Sequence, residues 1–137
     1  MIVVLDASAG IEIALDRAAA KIFNSYIIRA TRIITSSLYK AETANVIWKY
    51  VKATLLPKQD SIRIYNYCKN IVDEFIDIEE NAEEAINESI RLNHSTYDLL
   101  YYTLARRNGA VLLSLDKRLN ELAKENGIDI AQKEINE

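Results

Sequence analysis

Across 137 residues there are one cysteine, one proline, one histidine, one tryptophan and three glycines. Cys68 has no second thiol to pair with, so an intramolecular disulfide framework and a thiolate zinc cluster are both excluded. That cysteine usage is the pattern of a reducing compartment. With so little proline and glycine there is no linker or low-complexity tract, and no repeat recurs at a period of roughly twenty to fifty residues. No stretch approaches the ~18 apolar residues of a membrane span, and Met1 to Asp6 is too short and too soon charged for a secretory segment. The expectation is a soluble, cytoplasmic protein with no membrane partner. An excess of one charge is missing too: 17 Lys and Arg stand against 20 Asp and Glu, a net charge of -3. Net charge therefore gives no sign of the basic face of a general nucleic-acid binder. It does not exclude nucleic acid, because acids gathered around a cation in one pocket leave the remaining surface balanced or basic.

What is present suffices for a core. Half of the residues are apolar, and a chain of this length buries roughly two-thirds of the surface its unfolded form exposes. One domain over 1–137 is expected. Ile2 to Leu5 is an unbroken β-type run, as in a strand covered on both faces. From Ser8 to about Ala30 the apolar residues recur at helical spacing, with a break near Asp16. Arg32 to Thr35 reads as a second strand. A long helix follows to about Thr54, with Leu38, Ala41, Ala44, Ile47 and Val51 on one stripe, ended by Pro57. Lys58 to Asp73 is helical by pattern, with Ile62, Tyr65 and Ile71 inward, and Phe75 to Ile78 alternates like a third strand. Asn81 to Leu92 reads as a helix with Ala82, Ala85, Ile86, Ser89 and Ile90 inward. Ser95-Thr96-Tyr97-Asp98 has the form of a capping box before a helix that Gly109 stops. Ala110 to Leu113 is a fourth strand, Lys117 to Asn126 a last helix, and Ile128 to Ile130 a short fifth strand. Strands alternating with helices imply a parallel sheet between two helical layers, a three-layer α/β/α domain.

Four acids have ordinary roles when taken singly. Asp6, Asp98 and Asp116 each stand where a helix begins and would serve as caps or capping-box partners, and Glu42 lies in a helix where most glutamates are solvated. Their joint placement points elsewhere. In a parallel α/β sheet the carboxyl ends of the strands form one edge, where ligands bind. Asp6 and Asp116 follow the first and fourth strands, Asp98 opens the helix leading back to the fourth, and Glu42 is about one turn into the helix after the second. Such acids repel one another unless a cation sits among them. With oxygen donors only, and no neighbouring histidine or thiolate pattern, the set suits Mg²⁺ or Mn²⁺, one or two ions. Ser8 and Ser114 place hydroxyls for holding water or fixing a carboxylate, and Asn45 and Asn120 are neutral polar groups facing the same region. His94, in the loop before the Asp98 helix, has the ordinary reading of a surface or capping residue, and Cys68 that of a small core residue.

Asp6-Ala7-Ser8 after an apolar strand, Glu42 within Ser36–Val46, Tyr97-Asp98-Leu99-Leu100-Tyr101 and Leu113-Ser114-Leu115-Asp116 together resemble the PIN-domain family, from Ile2 to Ile130 in order. Within it they look most like the VapC-type toxin ribonucleases of toxin-antitoxin pairs. The resemblance implies a five-stranded parallel sheet in order 3-2-1-4-5 and a catalytic quartet on Asp6, Glu42, Asp98 and Asp116, with Ser114 as the family's hydroxyl position. It implies cleavage of RNA to 5′-phosphate and 3′-hydroxyl ends, a small antitoxin partner and a homodimer. Where many relatives carry a further acid, this chain has Asn120. Lys40, Lys49, Lys117 and Arg118 are the candidate phosphate contacts. Tyrosines offer stacking on unpaired bases, although Tyr97, Tyr101 and Tyr102 read more simply as core or dimer-interface residues. The alternative is a PIN fold with an RNA-processing or partner-binding role and weak or no catalysis. A haloacid-dehalogenase hydrolase is not supported, because its second aspartate would fall on Ser8. Nor is a phospho-receiver, which needs an acid pair at the end of the first strand.

Overall fold

The computed structural model describes residues 1–132. Strand β1 (Ile2–Leu5) pairs in parallel with β2 (Arg32–Ser36) on one side and with β4 (Val111–Leu113) on the other, and β3 (Glu74–Ile76) pairs in parallel with β2. The sheet order is thus β3-β2-β1-β4. Among the described residues this corrects the expected five strands to four. At the fifth position only one parallel bridge forms, Leu112 with Ile130. Leu112 exchanges two backbone bonds with Asp129 and Ala131 there, and these two bonds are the whole of the pairing among the described residues.

The helices are α1 (Ala7–Ala14), α2 (Ala20–Arg29), α3 (Leu38–Lys52), α4 (Ser61–Asn70), α5 (Ala82–Leu92), α6 (Thr96–Asn108) and α7 (Lys117–Glu125). The break between α1 and α2 falls where expected, at Asp16 with φ 51°. Helices α1 to α4 pack on one another, while α6 lies along β1, β2 and β4 and carries α5 and α7. Val3, Val4 and Leu5 are all fully buried. Successive strand residues point to opposite faces, so burial of three in a row requires both faces of β1 to be covered, as in a helix-sheet-helix sandwich.

Three expected apolar faces are rotated. On α3 the buried residues are Tyr39, Thr43 and Ile47, not Ala41 and Ala44, because the large Tyr39 ring claims the interior and its hydroxyl donates to the Cys68 carbonyl at 2.7 Å. Gly10 makes this possible: a Cβ there would stand 2.2 Å from the Tyr39 hydroxyl oxygen. On α5, Ile86 and Ile90 are exposed while Ala85 and Glu88 are buried. The Glu88 carboxylate is taken up by Arg91 and by Arg106 of α6, so an ion-pair network, not the isoleucines, faces the neighbouring helix. On α4, Ile62 is exposed rather than inward. It borders, with Trp48 and Val51, an apolar groove of about 390 Å³ between α3 and α4.

Candidate metal centre

The edge formed by the carboxyl ends of β1 and β4 holds a cleft of about 300 Å³, lined by Asp6, Ser8, Glu42, Asn45, Lys49, Asp98, Tyr101 and Asp116 among others. Parallel pairing of Leu5 with Leu113 puts the residues that follow each strand side by side, and the Asp6 N–H donates to the Leu113 carbonyl at 3.1 Å. Asp6 is buried. Its Oδ1 accepts from the Ser8 hydroxyl at 2.6 Å and from the Ala9 N–H at 2.9 Å, and its Oδ2 accepts from the Ser114 hydroxyl.

Each of those hydroxyls is itself oriented. Ser8 accepts from the Leu115 N–H at 2.9 Å and Ser114 from the Asp116 N–H at 3.0 Å, which leaves each hydroxyl proton to point at Asp6 and polarises both chains. Oδ1 has two donors and Oδ2 one, so a single lone pair of Asp6 remains for a cation. Even with these donors, burial pushes the Asp6 carboxyl up to about 6, and the Asp98 charge adds to the rise. Two serines thus fix a carboxylate that is costly to ionise without a positive neighbour.

The other acids enter from helices. Asp116 caps α7, its Oδ1 accepting from the Leu119 N–H at 3.0 Å, so capping and cleft placement coexist on different oxygens. Glu42 accepts from the Tyr101 hydroxyl at 2.5 Å. Burial raises the Glu42 pKa, the Tyr101 bond opposes that, and Asp98 adds to it. Asp98 does not close a capping box: Ser95 caps α6 through the Tyr97 N–H, and the Asp98 carboxylate instead meets His94 Nε2 at 2.8 Å. A ring nitrogen of His94, an Asp98 oxygen and an Asp116 oxygen all lie within 4.8 Å of one another. The sequence reading expected no histidine beside the acids, and the structure places one there. As a donor set these three convergent ligands fit a divalent cation; Asp6 and Glu42, also expected as ligands, line the same cleft but are not among the three.

Residues 3–125 match the PIN domain. This chain belongs to the PIN-domain family. No functionally curated protein matches it significantly. Among solved structures, the PIN domain is similar to PAE2754 from Pyrobaculum aerophilum, at 20% identity and a TM-score of 0.73, over 94% of this chain and 92% of that one. It is also similar to VapBC2 from Rickettsia felis, solved bound to a DNA fragment from their promoter, at 14% identity and a TM-score of 0.67, over 95% and 97% of the two chains. At those identities the likeness is one of fold.

Of the supporting residues, Ser8 and Asn45 line the cleft of the PIN domain. Asn120 does not line it; its amide holds the Ser114 carbonyl at 2.9 Å, behind the serine that touches Asp6. Lys49 alone of the four candidate cations lines the cleft. Lys40 lies over the Phe75 ring, its Nζ 4.3 Å from the centroid, Arg118 pairs with Glu121, and Lys117 does not line the cleft. Tyr101 and Tyr102 are core residues as expected, whereas Tyr97 is 64% exposed. It flanks a shallow groove of about 280 Å³ that shares Glu42 and Asn45 with the cleft. Sequence reasoning missed the contacts of Tyr101 and His94. Tyr101 was signalled by helical spacing, three residues after Asp98, whereas His94 lies in the turn before α6, outside that periodicity.

Proposed function

We propose that this PIN domain, acting as one unit over 1–137, is a Mg²⁺- or Mn²⁺-dependent endoribonuclease, the cytoplasmic toxin of a type II toxin-antitoxin pair. The observation that carries the reading is the convergence of Asp6, Glu42, Asp98 and Asp116 on one cleft at the sheet edge. Family membership supports nuclease chemistry, and the likeness to a VapBC assembly supports a small antitoxin as protein partner. The exposed Ile86 and Ile90 on α5 offer an apolar face for a second copy in a homodimer.

Asp98 and Asp116 would hold the cation, with the free Asp6 lone pair beside them. A divalent cation bound there supplies Lewis acidity toward water and a phosphate oxygen, and offsets charge in the transition state. The residues do the rest. Glu42, with one oxygen engaged by Tyr101, accepts on the other the proton that the attacking water loses. Water oxygen bonds to phosphorus as the phosphorus to 3′-oxygen bond breaks, and the departing 3′-oxygen takes a proton from solvent, leaving 5′-phosphate and 3′-hydroxyl ends. Lys49 meets a backbone phosphate, and exposed Tyr97 stacks on an unpaired base where the groove continues from Glu42.

The test is cleavage of a mixed single-stranded RNA with Mg²⁺, Mn²⁺ or EDTA by the wild type, Asp6→Asn and Asp98→Asn. Metal-dependent cutting lost in both variants, with far-ultraviolet circular dichroism unchanged, supports the assignment. No cutting by any form, or equal cutting by all three, overturns it in favour of partner binding.

A further inference from the structure

The donors at the rim are unequal. On Asp6, Oδ1 is filled and Oδ2 half-filled; Glu42 and Asp116 each have one oxygen engaged. Asp98 has no lysine or arginine partner among the described residues, and its neighbour is His94. That histidine is held firmly. Asn93 ends α5 in the left-handed region at φ 52°, the His94 N–H donates to the Ser89 carbonyl at 3.2 Å, and Ser95 then caps α6. Pinned between two helix ends, the imidazole has only 16% of its side chain exposed and turns Nε2 toward Asp98 Oδ2 at 2.8 Å. An Asp116 oxygen completes the trio within 4.8 Å. Two ligands about 2.1 Å from one ion stand about 3 Å apart when adjacent and about 4 Å when opposite; the 2.8 Å between His94 and Asp98 is close to that of an adjacent pair, with Asp116 within 4.8 Å of both.

We infer that His94 is a direct Nε2 ligand of the cation, alongside Asp98 and Asp116, in a mixed nitrogen and oxygen site that favours Mn²⁺, Co²⁺ or Zn²⁺ over Mg²⁺. The inference rests on the nuclease reading for the presence of a cation in the cleft, and adds to it the nitrogen ligand and the metal preference. The physical reason is that Mg²⁺ retains oxygen ligands and water, whereas the transition-metal divalents accept imidazole.

His94 is the one histidine of the chain, so an imidazole signal at bound metal has a single source. Tag-free, full-length protein is loaded with Mn²⁺, and pulsed electron paramagnetic resonance reads the nitrogen hyperfine coupling of a directly bonded imidazole. Calorimetry with Mn²⁺ and with Mg²⁺ gives the affinities of wild type, His94→Gln and His94→Asn. The coupling is expected in the wild type and lost in both variants, with Mn²⁺ binding about tenfold weaker or more and Mg²⁺ binding changed by less than about threefold. Saturable Mn²⁺ binding without nitrogen coupling, or variants that bind Mn²⁺ as the wild type does, overturns the ligand assignment and leaves the nuclease reading standing. Absence of any saturable divalent binding by folded wild type overturns both.

Discussion

The Ser114 hydroxyl donates to the Asp6 carboxylate across 108 positions of sequence, and the Asp116 N–H behind it fixes the direction of that bond. A parallel ladder between β1 and β4 is what lets two segments so distant share one proton donor. Burial nevertheless outweighs the three donors on Asp6, and the carboxyl rises from 3.8 to about 6.

A raised carboxyl pKa means that the folded chain binds a proton more tightly than the unfolded chain. Asp6 therefore stabilises fully below about pH 3.8, and that contribution is lost as pH rises through about 6. In EDTA, the unfolding free energy of Asp6→Asn minus that of the wild type should grow by about 2 to 3 kcal/mol between pH 4 and 8, measured by urea denaturation. A difference that stays flat across the range would refute this. Added Mn²⁺ should raise the wild-type midpoint above pH 6 and raise that of Asp6→Asn less.

Tyr101 is buried, and its own pKa is raised by burial and by Glu42, so its hydroxyl stays a donor at any working pH. Tyr101→Phe removes a bond that lowers the Glu42 pKa. The acidic limb of the rate profile should move to higher pH and the plateau rate fall about tenfold. Unchanged limbs would remove Glu42 from the proton step.

Lys49 is the single expected cation that lines the cleft. Lys49→Ala should raise KM for RNA with little change in kcat, and reduce the slope of log affinity against log salt by about 0.7, one phosphate on a single strand. Lys40→Ala and Lys117→Ala should leave that slope alone. Binding isotherms at several salt concentrations check it.

Glu88 is held by Arg91 and Arg106, which keep its carboxyl down to about 2. Its contribution is present above the ordinary glutamate value and fades as pH falls toward 2. Glu88→Gln should destabilise the fold by about 1 kcal/mol at pH 7 by removing the charged partner of two half-exposed arginines, and the loss should shrink in acid. Equal loss at pH 3 and 7 in chemical denaturation would argue against the ion pairs.

Gly10→Ala places a methyl 2.2 Å from the Tyr39 hydroxyl and 2.9 Å from its ring. Tyr39 is fully buried and bonded to the Cys68 carbonyl, so it cannot swing away. The substitution should destabilise by about 2 to 3 kcal/mol, and Tyr39→Phe in the same background should recover part of it. Urea midpoints decide.

The strands and the cleft acids were legible because a buried parallel strand is an unbroken apolar run and because a carboxylate just past a strand has few places to go, whereas the strand order came from the family resemblance alone. The rotated faces were not. Ile86 and Ile90 carry the hydrophobic signal of α5, yet a buried glutamate faces α6, since two arginines, one on α6, make that burial tolerable. The expected fifth strand reduces to a single bridge between Leu112 and Ile130 among the described residues. His94 was not legible in spacing, because whether a residue in a loop points inward depended on Asn93 adopting the left-handed region, which sequence alone does not dictate.

The hydroxyl relay around Asp6 has a consequence for the time at which this molecule comes into being. Ser8 is anchored by the Leu115 N–H and Ser114 by the Asp116 N–H, so the first strand's carboxylate finds its setting only after nearly all the described chain has been made. A nascent or truncated polypeptide that stops within α6 holds Asp6, Glu42 and Asp98 but has neither β4 nor Asp116 to shape the cleft. Long-range parallel pairing is a late event in folding, so the cleft takes its shape only once the segment that carries β4 and Asp116 has been made.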